Sequence, residues 1–248
     1  MPDRPGPATL ERGSSTAVPT NVSYRLGKLQ SRQLLSGTWL DCGCADGGYA
    51  AALTDGGAER VVGLEIEISR LRQARSRVGT DHPIRFVNAA SESLPFADQT
   101  FDGIFVNEVL EHVADELCTL REIRRVLRPG GYLVLFGPNR WFPFEGHGMT
   151  VRGMKTPFPV PILPWIPKRW ALKVMSARNY WPHELADLVR EAGLQVVEVT
   201  SAFPVFEVYP WLPRRVIHWY KQRVVTIEQL PIIHRFGVST CVIARREP

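Results

Sequence analysis

A chain of 248 residues with 44% hydrophobic and 22% charged content carries enough apolar material for one α/β domain with a full core, which excludes a wholly disordered polypeptide. Its net charge of +5 admits an acidic partner, either nucleic acid or an anionic surface, without choosing between them. Cys42, Cys44, Cys118 and Cys241 have no paired spacing that would make a disulfide framework or a zinc site, so a reducing compartment and no metal are expected.

Residues 1–20 are rich in Pro, Gly, Ser and Thr and lack a basic start followed by an apolar core. They read as a disordered tail and not as a secretion signal, which leaves 21–248 as a single domain. No later segment approaches the roughly 20 apolar residues needed to cross a bilayer, so a cytoplasmic location is expected, with peripheral membrane contact allowed. A helix before the first strand is permitted, and on it Tyr24 and Arg25 are candidates to cover a bound ligand or meet its carboxylate. Thr38–Cys42 is the first strand and Gly48–Asp55 the helix after it, stopped by Gly56-Gly57. Strand Val61–Glu65 precedes a helix over Ser69–Val78, where Leu71, Ala74 and Val78 recur at helical spacing. Ile84–Asn88 and Phe101–Asn107 are strands. Asp115 caps a helix running to Leu127 with Leu117, Leu120 and Ile123 on one face. Strand Gly131–Gly137, helix Pro182–Ala192 and strands Leu194–Thr200 and Ser239–Ala244 complete the series. Strands and helices alternating in this way imply a parallel sheet covered on both faces.

The turn Leu40-Asp41-Cys42-Gly43-Cys44-Ala45-Asp46-Gly47-Gly48 joins the first strand to its helix through small residues, so backbone comes close to a ligand there. Glu65 closes the next strand roughly 20 residues later, the spacing at which a carboxylate reaches ribose hydroxyls. The two features describe a nucleoside pocket. Small residues at Gly43, Ala45, Gly47 and Gly48 depart from the dinucleotide pattern G-x-G-x-x-G, and an anion beside Asp41 and Asp46 would be repelled where an ammonium and a sulfonium would be favoured.

At these residues the chain resembles the class I S-adenosylmethionine-dependent methyltransferases of the type 11-like kind, whose first motif is D-x-G-x-G-x-G. Asp41, Gly43 and Gly47 match, and Ala45 stands at the middle glycine. Val62-Gly63-Leu64-Glu65-Ile66-Glu67 is similar to the family's second strand, and the run from Ile84 to Phe96 to its third strand and loop. Phe101 to Val113, with Leu110-Glu111-His112-Val113, is similar to the fourth strand and the segment after it, and Leu127 to Val134 to the opening of the fifth. The resemblance implies a doubly wound, Rossmann-like seven-stranded sheet, mostly parallel with an antiparallel last strand. It implies S-adenosyl-L-methionine as cofactor, leaving S-adenosyl-L-homocysteine as product. Carried over residue by residue, it assigns cofactor binding to Asp41, Gly43, Cys44, Ala45, Gly47, Glu65, Ile66 and Asn107. Ala90 occupies the place of the family's adenine-contacting aspartate, so that contact passes to backbone, Ser91 or Glu92.

Two insertions, 138–179 and 201–236, fall outside the resemblance and carry Trp141, Trp165, Trp170, Trp211 and Trp219 among many prolines. They follow carboxyl ends of strands, where ligands bind in open α/β sheets, and are expected to form a helical, aromatic lid over the acceptor. Aromatics beside Lys168-Arg169, Arg214-Arg215 and Lys221-x-Arg223 suit a small satellite core or, alternatively, an apolar ligand or membrane interface. Arg121, Arg124, Arg125 and Arg128 form a stripe on one helix face that reads as solvated, and Asn107-Glu108-Val109-Leu110 lacks the N/D-P-P-Y/F motif of base-amine methylation. No nucleic-acid partner is expected. His112, after the fourth strand, and His147, in a glycine-flanked loop, are candidate general bases, with Glu108 and Glu111 as positioning alternatives. The function expected is methyl transfer to a hydroxyl or activated carbon of a nonprotein acceptor, apolar, lipid-linked or glycan. A small soluble metabolite, a nicotinamide-dependent oxidoreductase and a noncatalytic nucleoside-binding module stand as alternatives.

Overall fold

Period-two alternation in the strands builds a sheet that is apolar on both faces. In a computed structural model the described residues are 20–79, 82–146, 149–151, 154–155, 160–171, 173–175, 177–203, 213–227, 230 and 232–248. One sheet contains β1 (Thr38–Cys42), β2 (Arg60–Glu65), β3 (Ile84–Asn88), β4 (Phe101–Asn107), β5 (Leu127–Pro138), β6 (Gln195–Ala202) and β7 (Ser239–Arg245). The strand order is β6-β7-β5-β4-β1-β2-β3, and β7 lies antiparallel between β6 and β5. Ile104 and Val106 of β4 point to one face and pack with Leu120 and Ile123 of α4 (Glu116–Val126) and Leu185 and Val189 of α5 (Pro182–Glu191). Phe105 points to the other, where Leu26 and Leu29 of α1 (Thr20–Gln30) and Ala50 and Leu53 of α2 (Gly48–Asp55) cover it. Each fully buried side chain of this size contributes about 2 kcal/mol. Helix α3 (Ile68–Val78) buries Leu71, Ala74 and Val78.

The seven-stranded doubly wound sheet with its antiparallel last strand is thus present as the sequence implies. Asp115 caps α4, its Oδ1 accepting from the Cys118 N–H at 2.9 Å. The expected tail lies outside the described residues except for Thr20, which opens α1. Strand β5 begins at Leu127, earlier than the Pro129-Gly130 pair suggests, because the Gly130 N–H donates to the Arg246 carbonyl at 2.7 Å and Arg246 N–H to Gly131 at 3.0 Å. The apparent turn is therefore paired backbone. Of the arginine stripe, Arg121, Arg124 and Arg128 are exposed as expected, while Arg124 also donates to the Gly193 carbonyl, Arg125 meets Glu122 and Asp98, and Arg128 meets Asp102.

Strand order reverses between β1 and β4, which opens a crevice at their carboxyl ends. Both insertions leave the sheet at that same edge, after β5 and β6. Within them the structure shows a ribbon of Phe144–Glu145 with Val160–Pro161, a second of Thr150–Val151 with Met154–Lys155, and a helix α6 (Arg214–Ile227) that the sequence reading leaves unassigned. A cavity of about 480 Å³ lies between α5 and the first insertion, lined in part by Arg140, Tyr180 and Leu188; none of its residues borders the crevice. No helix among the described residues is long and apolar enough to cross a membrane.

Candidate functional site

The turn after β1 is bent over the end of β2 by two backbone bonds: the Gly43 and Cys44 N–H groups both donate to the Leu64 carbonyl, at 2.8 and 2.9 Å. Gly43 takes φ +84°, and a Cβ there would lie 2.3 Å from Cγ2 of Val109, so only glycine lets this turn approach the segment after β4. Between them opens a cleft of about 820 Å³. Of the sequence-assigned residues, Gly43, Cys44, Ala45, Glu65, Ile66, Ser91, Glu92, Asn107 and His112 line it. Asp41 and Gly47 sit behind the turn and do not border the cleft. Gly47 packs against Ala74, Val78 and Phe86. His147 lies outside the described residues.

Glu65 anchors the site. Its Oε2 accepts from Ala45 N–H and its Oε1 from Glu67 N–H, each at 3.0 Å, which spends one acceptor direction per oxygen and leaves others facing the cleft. The Asn88 amide donates to the carbonyls of Glu65 and Ile66 at 2.7 and 2.8 Å and so fixes the end of β2. Beside it Ile66 is 66% exposed, an apolar wall inside a cleft with no protein neighbour covering it.

Ala45 adopts φ +47°, a left-handed conformation that its Cβ disfavours. The methyl is accommodated in space but not without backbone strain. Ala45→Gly is expected to raise unfolding stability by about 1 kcal/mol while keeping ligand affinity, measured by denaturant titration and calorimetry; a lower stability would remove the strain reading.

Charge is distributed differently from the sequence expectation. Asp41 is 1% exposed; its carboxyl accepts from Ala50 N–H, and Oδ2 has no hydrogen-bond partner among the described residues. Burial, with the nearby Glu65 and Asp46, pushes its pKa up to about 8, so at neutral pH it is mainly protonated. Asp46 is ion-paired with Arg77. Among the acids that border the cleft, Glu67 pairs with Arg70 and Glu108 with Arg25, whereas the contacts of Glu65 and Glu92 are to backbone N–H groups and a hydroxyl.

Arg25 does not wait for a ligand. It is 5% exposed, its Nη1 meets Glu108 Oε1 at 3.1 Å and the Asn107 side-chain oxygen, and its Nη2 donates to Ser239 Oγ at 2.8 Å. It is a strut joining α1, β4 and β7. The Tyr24 hydroxyl accepts from Phe203 N–H at 3.1 Å, which turns it towards β6. The α1 residues that border the cleft are instead Asn21 and Val22, and Tyr49 and Val109 join them. Sequence reading missed these because their side chains carry no chemical signature; only the helix pattern places them nearby.

In the cleft lining Glu108 takes φ +54°, a strained geometry of the kind found at functional sites. Glu111 is 2% exposed, and burial, reinforced by Glu108, drives its pKa well above the usual carboxylate range. His112 Nε2 stands 3.8 Å from Glu111 Oε1, and its side chain is half exposed to the cleft. Glu92 braces this segment by accepting from Ala114 N–H at 3.0 Å. The thiols of Cys42 and Cys44 are held protonated by burial, as packing groups of the turn.

Residues 40–135 match the family model described as "Methyltransferase domain". The demethylmenaquinone methyltransferase of Bacillus subtilis is 31% identical over 165 residues, covering 64% of this chain and 71% of that protein. The chain belongs to the S-adenosylmethionine-dependent methyltransferases. The ubiquinone biosynthesis O-methyltransferase of Cereibacter sphaeroides is 33% identical over 167 residues, and the match covers 64% of this chain and 60% of that relative's length. A solved S-adenosylmethionine-dependent methyltransferase from Mesorhizobium loti shares the fold, with a TM-score of 0.61 at 19% identity over 90% of this chain and 98% of that one.

The cofactor of this methyltransferase family is S-adenosylmethionine, and the residues present fit it on three observations. Gly43, pressed against Val109, brings bare backbone to the lining of the cleft. Glu65 offers carboxylate acceptors beside the turn, of the kind hydroxyl groups bind, and exposed Ile66 offers an apolar surface suited to a planar ring. Asp41 keeps a buried, unpartnered oxygen behind the turn, a group that a nearby sulfonium or ammonium would stabilise in its charged form.

Proposed function

We propose that this chain transfers a methyl group from S-adenosylmethionine to a hydroxyl oxygen of a small, apolar, nonprotein acceptor of quinone-like chemistry, with His112 as general base. The observation that carries the reading is the half-exposed His112 imidazole lining the same cleft as Glu65 and Ile66, with the buried Glu111 carboxyl 3.8 Å from its Nε2. When bound, the donor supplies an electrophilic methyl carbon and departs as S-adenosylhomocysteine. Glu65 holds the ribose, Ile66 packs the adenine, and Gly43, Cys44 and Ala45 bring bare backbone against the remainder. Ser91 and Glu92 serve the base edge, and Asn107 stays fixed by Arg25 at the floor. The His112 imidazole takes the hydroxyl proton, so the acceptor oxygen reacts as the stronger nucleophile. Holding both reactants and excluding water supplies the rest of the rate enhancement.

The acceptor class draws on two supports. The names of two relatives specify ubiquinone biosynthesis and demethylmenaquinone, one by O-methylation. The insertions at 138–179 and 201–236, which we assign to acceptor cover, are rich in tryptophan and proline and leave the sheet at the edge where the cleft opens. An activated ring carbon is the second target this site could serve, since carbon acceptors need the same collinear hold.

Incubation of the protein with methyl-labelled donor and a cell extract, followed by separation of lipid and aqueous phases, should put the label in the lipid phase. Label confined to the aqueous phase would overturn the apolar acceptor, and label in no fraction would favour a noncatalytic nucleoside module. With an acceptor in hand, His112→Gln should lower kcat on the order of 100-fold and leave the donor Kd unchanged. An unaltered kcat would remove the base role from His112.

A further inference from the structure

Two stretches of this chain contain no acidic residue: none occurs between Glu145 and Glu184, nor between Glu207 and Glu228, although acids outnumber bases in the remainder. The same stretches expose apolar side chains to an unusual degree. Among the described residues Ile162 is 61% exposed, Trp170 64% and Trp219 52%, and Ile232 just beyond is 75% exposed. Each of these two exposed tryptophans has a cation at its face: Arg169 Cζ is 5.9 Å from the Trp170 ring, and Arg223 Cζ is 5.6 Å from the Trp219 ring.

These groups belong to one end of the molecule. Asn139 and Arg140 follow β5 directly. The Asn139 amide donates to the carbonyls of Arg235 and Gly237 at 2.8 and 2.7 Å, while Arg140 donates to those of Pro164 and Ile166 at 2.7 and 2.8 Å. Adjacent residues thus clamp the two insertions side by side, and Trp141 touches Phe236 across the junction. Helix α6 runs into the same place, since Leu230 N–H donates to Ile227 and His234 N–H to Leu230.

We propose that this end of the molecule docks on an anionic lipid bilayer. Indole rings and isoleucines would enter the headgroup region while Arg169, Arg223 and their neighbours meet lipid phosphates. A second copy of the chain would oppose cation to cation. Duplex nucleic acid would satisfy the arginines but leave Ile162 and Ile232 without an apolar partner. The docked end is the edge of the sheet on which the donor cleft opens, so a lipid-soluble molecule would reach the site without crossing water. The inference goes beyond the proposed reaction and does not rest on it, because vesicle binding is read without turnover.

The test is sedimentation of the full chain with vesicles of phosphatidylcholine, with and without phosphatidylglycerol, together with tryptophan emission. Binding to the anionic vesicles with a blue shift, weakened by salt, is expected. The variant Arg169→Gln with Arg223→Gln should lose about fivefold in partitioning for each cation removed. Trp170→Ala with Trp219→Ala should bind more weakly and show a smaller blue shift. All four positions are exposed, so thermal unfolding of the variants should match the parent. Equal binding to both vesicle types, binding to neither, undiminished binding of the glutamine variant, or preferential capture by duplex DNA at the same ionic strength would each overturn the proposal.

Discussion

Replacing Glu65 by alanine is expected to weaken S-adenosylmethionine binding on the order of 100-fold or more, read as Kd by calorimetry. Each ribose hydroxyl donated to a carboxylate is worth about 1.5–3 kcal/mol, and losing two such bonds multiplies the dissociation constant accordingly. Glu65 also accepts from Ala45 and Glu67 N–H groups, so its removal loosens the turn that carries Gly43 and Cys44. Some of the lost affinity would therefore be lost order in the turn. Glu65→Gln grades the two effects: its amide oxygen keeps one backbone bond, while its NH2 opposes the other N–H and removes one acceptor for ribose, so affinity and unfolding midpoint should both lie between those of the parent and the alanine variant. If the alanine variant folds and binds the donor as the parent does, Glu65 is not the ribose anchor and the cofactor assignment built around it fails.

Much of this site was readable because it is made of backbone geometry that few residues permit. Gly43 in a left-handed turn and Glu65 at a strand end are local demands, and the residue types announce them. The seven strands were legible for a similar reason: Leu40 and Cys42 face one core while Trp39 faces the other, an alternation that survives in the sequence. Burial of charge, by contrast, left no local mark. Asp41 and Asp46 look alike as neighbours of the glycines, yet one is enclosed and protonated while the other is half-buried and paired with Arg77, 31 positions away. Arg25 failed for the same cause. Its partners Asn107, Glu108 and Ser239 are separated from it by 82, 83 and 214 positions, and nothing local in α1 announces them. Helix α6 was missed because its apolar residues are interleaved with exposed tryptophan and arginine, a pattern that suits an interface better than a buried face.

The second large effect concerns Asp41 and pH. Its folded-state pKa is raised to about 8 from the ordinary 3.8, chiefly by burial. Between those limits the folded protein holds a proton that the unfolded chain has released. This contribution to stability is therefore fully present below about pH 4 and is lost as pH rises towards 8, at up to about 1.4 kcal/mol per pH unit. Asp41→Asn retains an oxygen for the Ala50 N–H and mimics the protonated acid, so it should match the parent below about pH 4 and exceed it by several kcal/mol near pH 8. Urea unfolding of both proteins at a series of pH values measures the difference, and subtracting one curve from the other cancels the slope that buried Glu111 adds to both. Parallel curves would mean that Asp41 titrates normally. A cationic ligand reverses the preference by stabilising the carboxylate, so donor affinity should climb with pH up to about 8 in the parent and stay flatter in the asparagine variant. That behaviour gives the buried acid a purpose that its lost stability alone does not: an oxygen with no hydrogen-bond partner among the described residues is ready to become charged when a sulfonium or ammonium arrives.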